Sequence, residues 1–124
     1  ITAEPLTPSL GVATLIGGVG GLIVVFAVPM LDKLKIDDVV GAIPVHLFAG
    51  VWGTIAVVFT NGDASLGTQL YSIIVVGIFV TVASAIVWFI LKATMGIRVS
   101  EEDEINGLDM SELGMEAYPE FSKS

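Results

Sequence analysis

The 124-residue sequence holds one side chain that titrates near neutral pH when unperturbed, His46, and it lies deep in an apolar run. The surrounding segment, Asp37–Thr54, reads DDVVGAIPVHLFAGVWGT. A neutral imidazole carries one donor and one acceptor nitrogen, so it can relay a proton or hold a small polar solute. On a helical period Ala42, His46, Ala49, Gly50 and Gly53 share one face, which predicts free volume beside the ring along a strip of very small residues. An alternative is a structural histidine that bridges two helices by hydrogen bonds. A metal ligand is disfavoured, because no second ligand lies on the same face and the chain has no cysteine. The absence of cysteine also excludes disulfides and thiolate chemistry. Either Asp37 or Asp38 suits the N-cap of this helix, where a carboxylate accepts from the free N–H groups of the first turn. Pro44 is tolerable so near the start, with a slight distortion of the helix expected.

The elements around this segment follow from the charge gaps. Hydrophobic residues make up 54% of the chain and charged residues 15%, where a soluble domain carries about 25% charged. Residues 5–31 hold no charge, and residues 39–91 hold only Asp63. The gaps delimit spans at 10–31, 39–60 and 70–96, each long enough for the ~20 helical residues that cross a hydrocarbon core. Backbone polar groups in lipid must pair internally, and none of the runs alternates as barrel strands do, so all three are expected to be helices. Three core helices of a soluble protein is the competing reading, but almost nothing polar remains to cover them. The expected class is an all-α membrane protein with three transmembrane helices and an acidic tail, no enzyme and no cofactor.

Lys33 and Lys35 mark the connection 32–38 as cytoplasmic by the positive-inside rule, and Lys92 and Arg98 do the same for the end of the third span. Residues 1–9 and the connection 61–69 (with NGDASLG at 61–67) then lie outside. Tyr71 and Trp88 fit interfacial anchors, and Lys92 can snorkel. In the first span Ala13, Gly17 and Gly21 form a small-xxx-small ridge that Gly18, Gly20 and Ala27 widen, as expected of a packing face. A phosphate loop is the competing idea, but no Lys-Ser/Thr follows. Pro29 is expected to kink or stop this span. The third span is bulky on all sides, with Gly77, Ala83, Ser84 and Ala85 expected where it meets a neighbour.

Net charge is −8, and residues 97–124 hold eight acidic residues against Arg98 and Lys123, which argues against nucleic-acid binding. Within this tail, the run Glu101–Glu104 suits a solvated helix start, and Ser100 with Asp103 resembles a capping box. The chain begins at Ile1 without a basic leader and reads as part of something longer.

Two sets of residues carry a resemblance. Asp37-Asp38, Gly41-Ala42, Pro44-Val45-His46, Ala49-Gly50 and Trp52-Gly53 resemble the signature around the second pore histidine of the ammonium transporter family (Amt/Mep/Rh). Gly96-Ile97-Arg98-Val99-Ser100, Glu101–Glu104, Gly107-Leu108-Asp109, Gly114 and Ala117-Tyr118 resemble that family's cytoplasmic C-terminal motif. Ile1-Thr2-Ala3 resembles the end of the preceding family helix.

The resemblance implies the last three helices and regulatory tail of an eleven-helix subunit that forms a homotrimer in the plasma (inner) membrane. It implies ammonium/ammonia as the transported species and His46 as one of two facing pore histidines. The partner histidine, the recruiting aromatics and the phenylalanine gate would precede Ile1. Trp52 would pack or anchor the outer side. The tail would tune transport through Gly107, Asp109, Ser111, Gly114 and Tyr118, and in prokaryotes a PII-type regulatory protein blocks the pore from this side. Gly107 is where added bulk should matter most, if it packs against another backbone. Ser111 occupies the position of a phosphorylated threonine in some plant members, and Leu113 stands where the motif usually has histidine. An ammonium sensor of the same fold and an inactive membrane fragment are the alternative functions. A fused signalling domain would mark the sensor, and none is expected in a chain that stops soon after Pro119-Glu120-Phe121.

Overall fold

The computed structural model describes residues 3–119, and within them every regular element is a helix. The expected end of a preceding helix at Ile1-Thr2, and the tail charges Glu120 and Lys123, lie outside the described residues. Backbone packing divides the chain into two compact units, Ile1–Val80 and Thr81–Ser124.

Helix α1 covers Leu10–Lys33, and the Ser9 hydroxyl caps it by accepting from the Val12 N–H at 3.4 Å. Pro29 does not end the helix, which continues to Lys33. Its missing N–H leaves the Val25 carbonyl without its usual intrahelical donor, a local cost that the flanking turns carry. The helix stops instead at a Schellman turn. The Ile36 N–H donates to the Leu31 carbonyl at 3.0 Å and the Lys35 N–H to the Asp32 carbonyl at 3.0 Å. Lys35 sits at φ +57°, a position usually given to glycine.

The second span is a composite. A π-helical stretch, Ile43–Phe48, opens it, and α2, Ala49–Thr60, continues it. It starts later than the charge gap predicts, because Gly41 turns the chain at φ +69° before the helix can begin. Helix α3 spans Leu66–Thr94 and starts earlier than hydropathy alone places it. Ser65 accepts from the Thr68 N–H at 3.2 Å and so caps a polar first turn that lengthens the span. Three helices, Leu10–Lys33, Ile43–Thr60 and Leu66–Thr94, are long and apolar enough to cross a membrane.

α1 packs antiparallel against the π turn and α2. The contact face of α1 is Gly20, Ala27 and Leu31, and the opposing face is Pro44, Ala49, Gly53, Ala56 and Val57. Most of these residues are small, so the helix axes approach closely and dispersion contacts hold them. Of the small residues expected on this packing face, Gly20 and Ala27 are buried in the seam. Gly17 is half-buried and Ala13 walls a cleft beside Gly53 and Ala56, while Gly18 and Gly21 are exposed. Small residues recur so often in this helix that spacing alone draws several ridges, and only the register of the partner selects one. α3 buries none of its residues, so the interfaces expected at Gly77 and Ala83–Ala85 are not formed among the described residues.

Two polar ties fix the hairpin. The Trp52 indole donates from Nε1 to the Ile16 carbonyl at 2.9 Å. At the opposite end from the Schellman turn, the Asn61 amide donates from Nδ2 to Glu4 Oε2 at 2.9 Å. Ala56 is 1% exposed at the centre of the seam. Ala56→Leu should force the helices apart and cost about 1–3 kcal/mol. A fall in the thermal midpoint of the detergent-solubilised protein checks this, and an unchanged midpoint would contradict the close seam.

Candidate functional site

Helix starts inside an apolar phase need acceptors for their first N–H groups. Asp38 supplies them for the second span. Its Oδ1 accepts from the Ala42 N–H at 2.8 Å and its Oδ2 from the Ile43 N–H at 2.7 Å. The Asp38 carbonyl also accepts from the Gly41 N–H at 3.2 Å, closing the turn. Asp37, the other cap candidate, is exposed. Pro44 follows, with almost no exposed surface and no N–H that would need a partner.

The winding then widens. The Val45 N–H donates to the Gly41 carbonyl, four residues back, at 3.1 Å. The Ala49 N–H reaches the Pro44 carbonyl, five residues back. The α period therefore does not hold between His46 and Ala49. The five residues expected on one strip are divided. Ala49 and Gly53 are buried in the α1 seam, and Gly50 is half-buried beside it. Ala42 and His46 are exposed, and His46 lies across the turn from buried Pro44. Small residues in this segment therefore divide between the seam, where Ala49 and Gly53 admit α1, and the exposed surface, where Ala42 lies. Among the described residues no three His, Cys, Asp or Glu side chains converge as a metal site.

The end of the α1–α2 pair away from the Schellman turn holds a cleft of about 220 Å³, walled by Ala13, Ile16, Gly53, Ala56 and Val57. Glu4 and Thr60 are its polar edge. The Asn61 amide, followed by the Leu6 N–H, holds the Glu4 carboxyl below the usual carboxylate range.

The tail is organised by a second aspartate. Ser100 caps α4, Glu101–Asn106, by accepting from the Asp103 N–H at 3.1 Å. Its own hydroxyl donates to Asp103 Oδ2 at 2.6 Å. Four acidic residues occupy the first turn of α4, where they favour the positive end of the peptide dipoles. The Arg98 guanidinium pairs with Glu104 at 2.7 Å, exposed on both sides.

Gly107 then breaks the helix at φ +98°. A Cβ at this glycine would stand 2.6 Å from Asp109 Oδ1, so the constraint is a carboxylate rather than the backbone expected from the sequence. Asp109 Oδ1 accepts from the Met110 N–H at 3.0 Å, and Oδ2 reaches eight residues ahead to the Ala117 N–H at 2.8 Å. These donors, Ala117 first, lower the Asp109 pKa from its ordinary value. Inside that loop runs a π turn, Asp109–Leu113, closed by Gly114 at φ +65°. Ser111 is exposed and donates to the Leu108 carbonyl at 3.4 Å. Leu113 and Tyr118 are also exposed.

With both motifs placed, comparison with known proteins is decisive. The model of the Ammonium Transporter Family matches residues 1–118. The chain belongs to the ammonium transporter family. The ammonium transporter Amt1 of Haloferax mediterranei is 42% identical over 111 residues, covering 86% of this chain and 22% of that protein. Amt2 of Archaeoglobus fulgidus is 40% identical over 131 residues, with 88% and 28% covered. Ammonium transporter 1 member 1 of Arabidopsis thaliana is 30% identical over 132 residues, with 88% and 26% covered. The chain thus spans about a quarter of the length of these curated relatives. It is an integral membrane member of the family, with three membrane-length helices.

Sequence reasoning missed three features of this family member. The Trp52–Ile16 bond and the Glu4–Asn61 bond join residues far apart in the chain, and no spacing rule reaches them. The third is the Asp109–Ala117 bond. Its signal was present in an aspartate between two glycines that both adopt positive φ.

Because folding lowers the Asp109 pKa, its contribution is fully present above the ordinary aspartate value. It is lost as pH falls through the lower folded value. Amide-exchange protection at Ala117, corrected for intrinsic exchange, should stay level from neutral pH through the ordinary carboxylate range and fall only below it. Asp109→Ala should abolish that protection at every pH.

Proposed function

We propose that the whole protein carrying this chain transports ammonium/ammonia through a narrow apolar pore, that His46 is one of its pore histidines, and that the tail regulates the flux. The observation that carries the reading is a match to the ammonium transporter family from residue 1 to 118, with the chain's sole imidazole exposed on the side of its helix away from the packed seam. An ionisable group at membrane depth faces a cavity or a partner rather than acyl chains. A bare ammonium ion in a hydrocarbon-walled pore is costly, whereas neutral ammonia is not. A side chain that accepts a proton from one and passes it on lowers that barrier, and a neutral imidazole has the acceptor and donor to do so. On this reading Ala42 and Gly50 leave room beside the ring, while Ala49 and Gly53 hold its helix against α1.

The same reading places the Ser124 end in the cytoplasm, on the side of Lys33, Lys35, Lys92 and Arg98. It places the assembly, a homotrimer, in the plasma (inner) membrane. Gly107, Asp109, Ser111, Gly114 and Tyr118 form the regulatory face of the tail, where a PII-type protein is the candidate partner.

In proteoliposomes, His46→Ala in the whole protein should abolish the ammonium-driven current or change its ion selectivity. A current of native size and selectivity removes His46 from the pore. Gly107→Asp should impair transport while oligomer assembly persists, because any side chain at φ +98° is strained and this one meets the Asp109 carboxylate. Native flux in that variant removes the regulatory role of the tail.

A further inference from the structure

The π turn that bears His46 is wider than the α2 helix it feeds, and the structure shows what holds it at each end. At its start, Asp38 accepts from two successive N–H groups, at 2.8 and 2.7 Å, and Gly41 fixes the incoming chain at φ +69°. At its far end, α2 is held in rotation about its own axis. Ala49 and Gly53 are buried against α1, and the Trp52 indole donates to the Ile16 carbonyl at 2.9 Å. Between these anchors the hydrogen-bond ladder passes from a four-residue step at Val45 to a five-residue step at Ala49. One residue more than an α-helix needs is stored in that interval. A π turn has poorer packing along its axis than an α turn, so it persists only where its ends are fixed.

We propose that Asp38 and Trp52 are positioning residues for His46: by pinning the two ends of the π turn they store one extra residue there, and this sets the direction in which the imidazole points. The hydrogen bonds of these two residues go to the Ala42 and Ile43 N–H groups and to the Ile16 carbonyl. Loosening either end lets the stored residue pass into the loop 34–42 and lets 43–48 rewind as α-helix. With α2 held, that rewinding turns His46 away from its direction and brings Leu47 round toward it. Pro44 permits this geometry, because its missing N–H removes one four-residue bond that would favour the α winding.

The proposal rests on the pore reading of His46, and thiol labelling separates the two. In the whole protein with any other cysteines replaced, Val45→Cys, His46→Cys and Leu47→Cys are introduced singly and reacted with methyl methanethiosulfonate, small and uncharged enough to enter an apolar pore. Labelling reports access to water and not transport. In the native background His46→Cys should react at least about tenfold faster than Leu47→Cys or Val45→Cys, because the pore reading puts only position 46 on the permeation path. In Asp38→Ala or Trp52→Phe backgrounds the 46-to-47 rate ratio should fall toward roughly one. Asp38→Asn, which keeps a capping oxygen, should hold the ratio closer to native. Trp52→Phe keeps the bulk and removes only the indole donor, so it serves where Asp38→Ala does not assemble. A native ratio in both Asp38→Ala and Trp52→Phe overturns the positioning role and leaves the pore reading standing. No labelling of His46→Cys in the native background, from either side of the membrane, overturns the pore reading and this inference with it.

Discussion

A polypeptide that enters hydrocarbon must bring a partner for every N–H it carries, and the start of a helix is where that requirement is hardest to meet. The second span meets it with one carboxylate. Asp38 takes the Ala42 and Ile43 N–H groups together, Val45 donates back to Gly41, and Pro44 has no N–H to satisfy. Much else follows from that arrangement. Gly41 must adopt positive φ to bring the first turn over Asp38, Pro44 can be buried because it leaves no donor unpaired, and the winding begins wide enough to carry His46 away from the seam.

The same economy recurs in the tail, in water rather than lipid. Asp109 also receives two N–H groups, from Met110 and Ala117, and also has a glycine at positive φ close by, Gly107 before it where Gly41 comes after Asp38. In both places an aspartate and a glycine shape a turn that leads into or closes a π-helical stretch. The environments differ in consequence. At Asp38 the alternative to pairing is an N–H group stranded near hydrocarbon, while at Asp109 water can replace a lost bond. The tail turn is therefore the softer of the two.

How much of this was legible in the residues divides by range. The three spans could be read because a long charge-free run has few other physical outcomes, and the class followed from them, while the family rested on the residues around His46 and in the tail. Asp38 could be read only as one of two cap candidates, Asp109 came with the family resemblance, and the Ser100 cap was visible from its spacing. The side of α1 that packs was legible only in part. Its many glycines and alanines permit several ridges, and the register of α2 buries Gly20, Ala27 and Leu31, leaves Ala13 and Gly17 at the edge of the seam and leaves Gly21 outside it. The strip around His46 was misdrawn for a related reason. A helical period assumes one winding, and Pro44 sits where the winding changes. The slight distortion expected at Pro44 was the available sign that the period downstream needed care.

That change of winding bears on how one short segment can satisfy two demands. A helix that packs tightly on a neighbour needs small residues at regular α spacing, and a helix that opens space around a polar group needs them on another side. With uniform α winding, His46 shares its face with Ala49 and Gly53, so close approach of α1 to those residues would crowd the ring. Widening the turn between them rotates the imidazole out of the seam while Ala49 and Gly53 stay in it. Tight packing and an open surface around the only histidine thus coexist within eight residues, and the Trp52–Ile16 bond keeps the two from sliding back into one register.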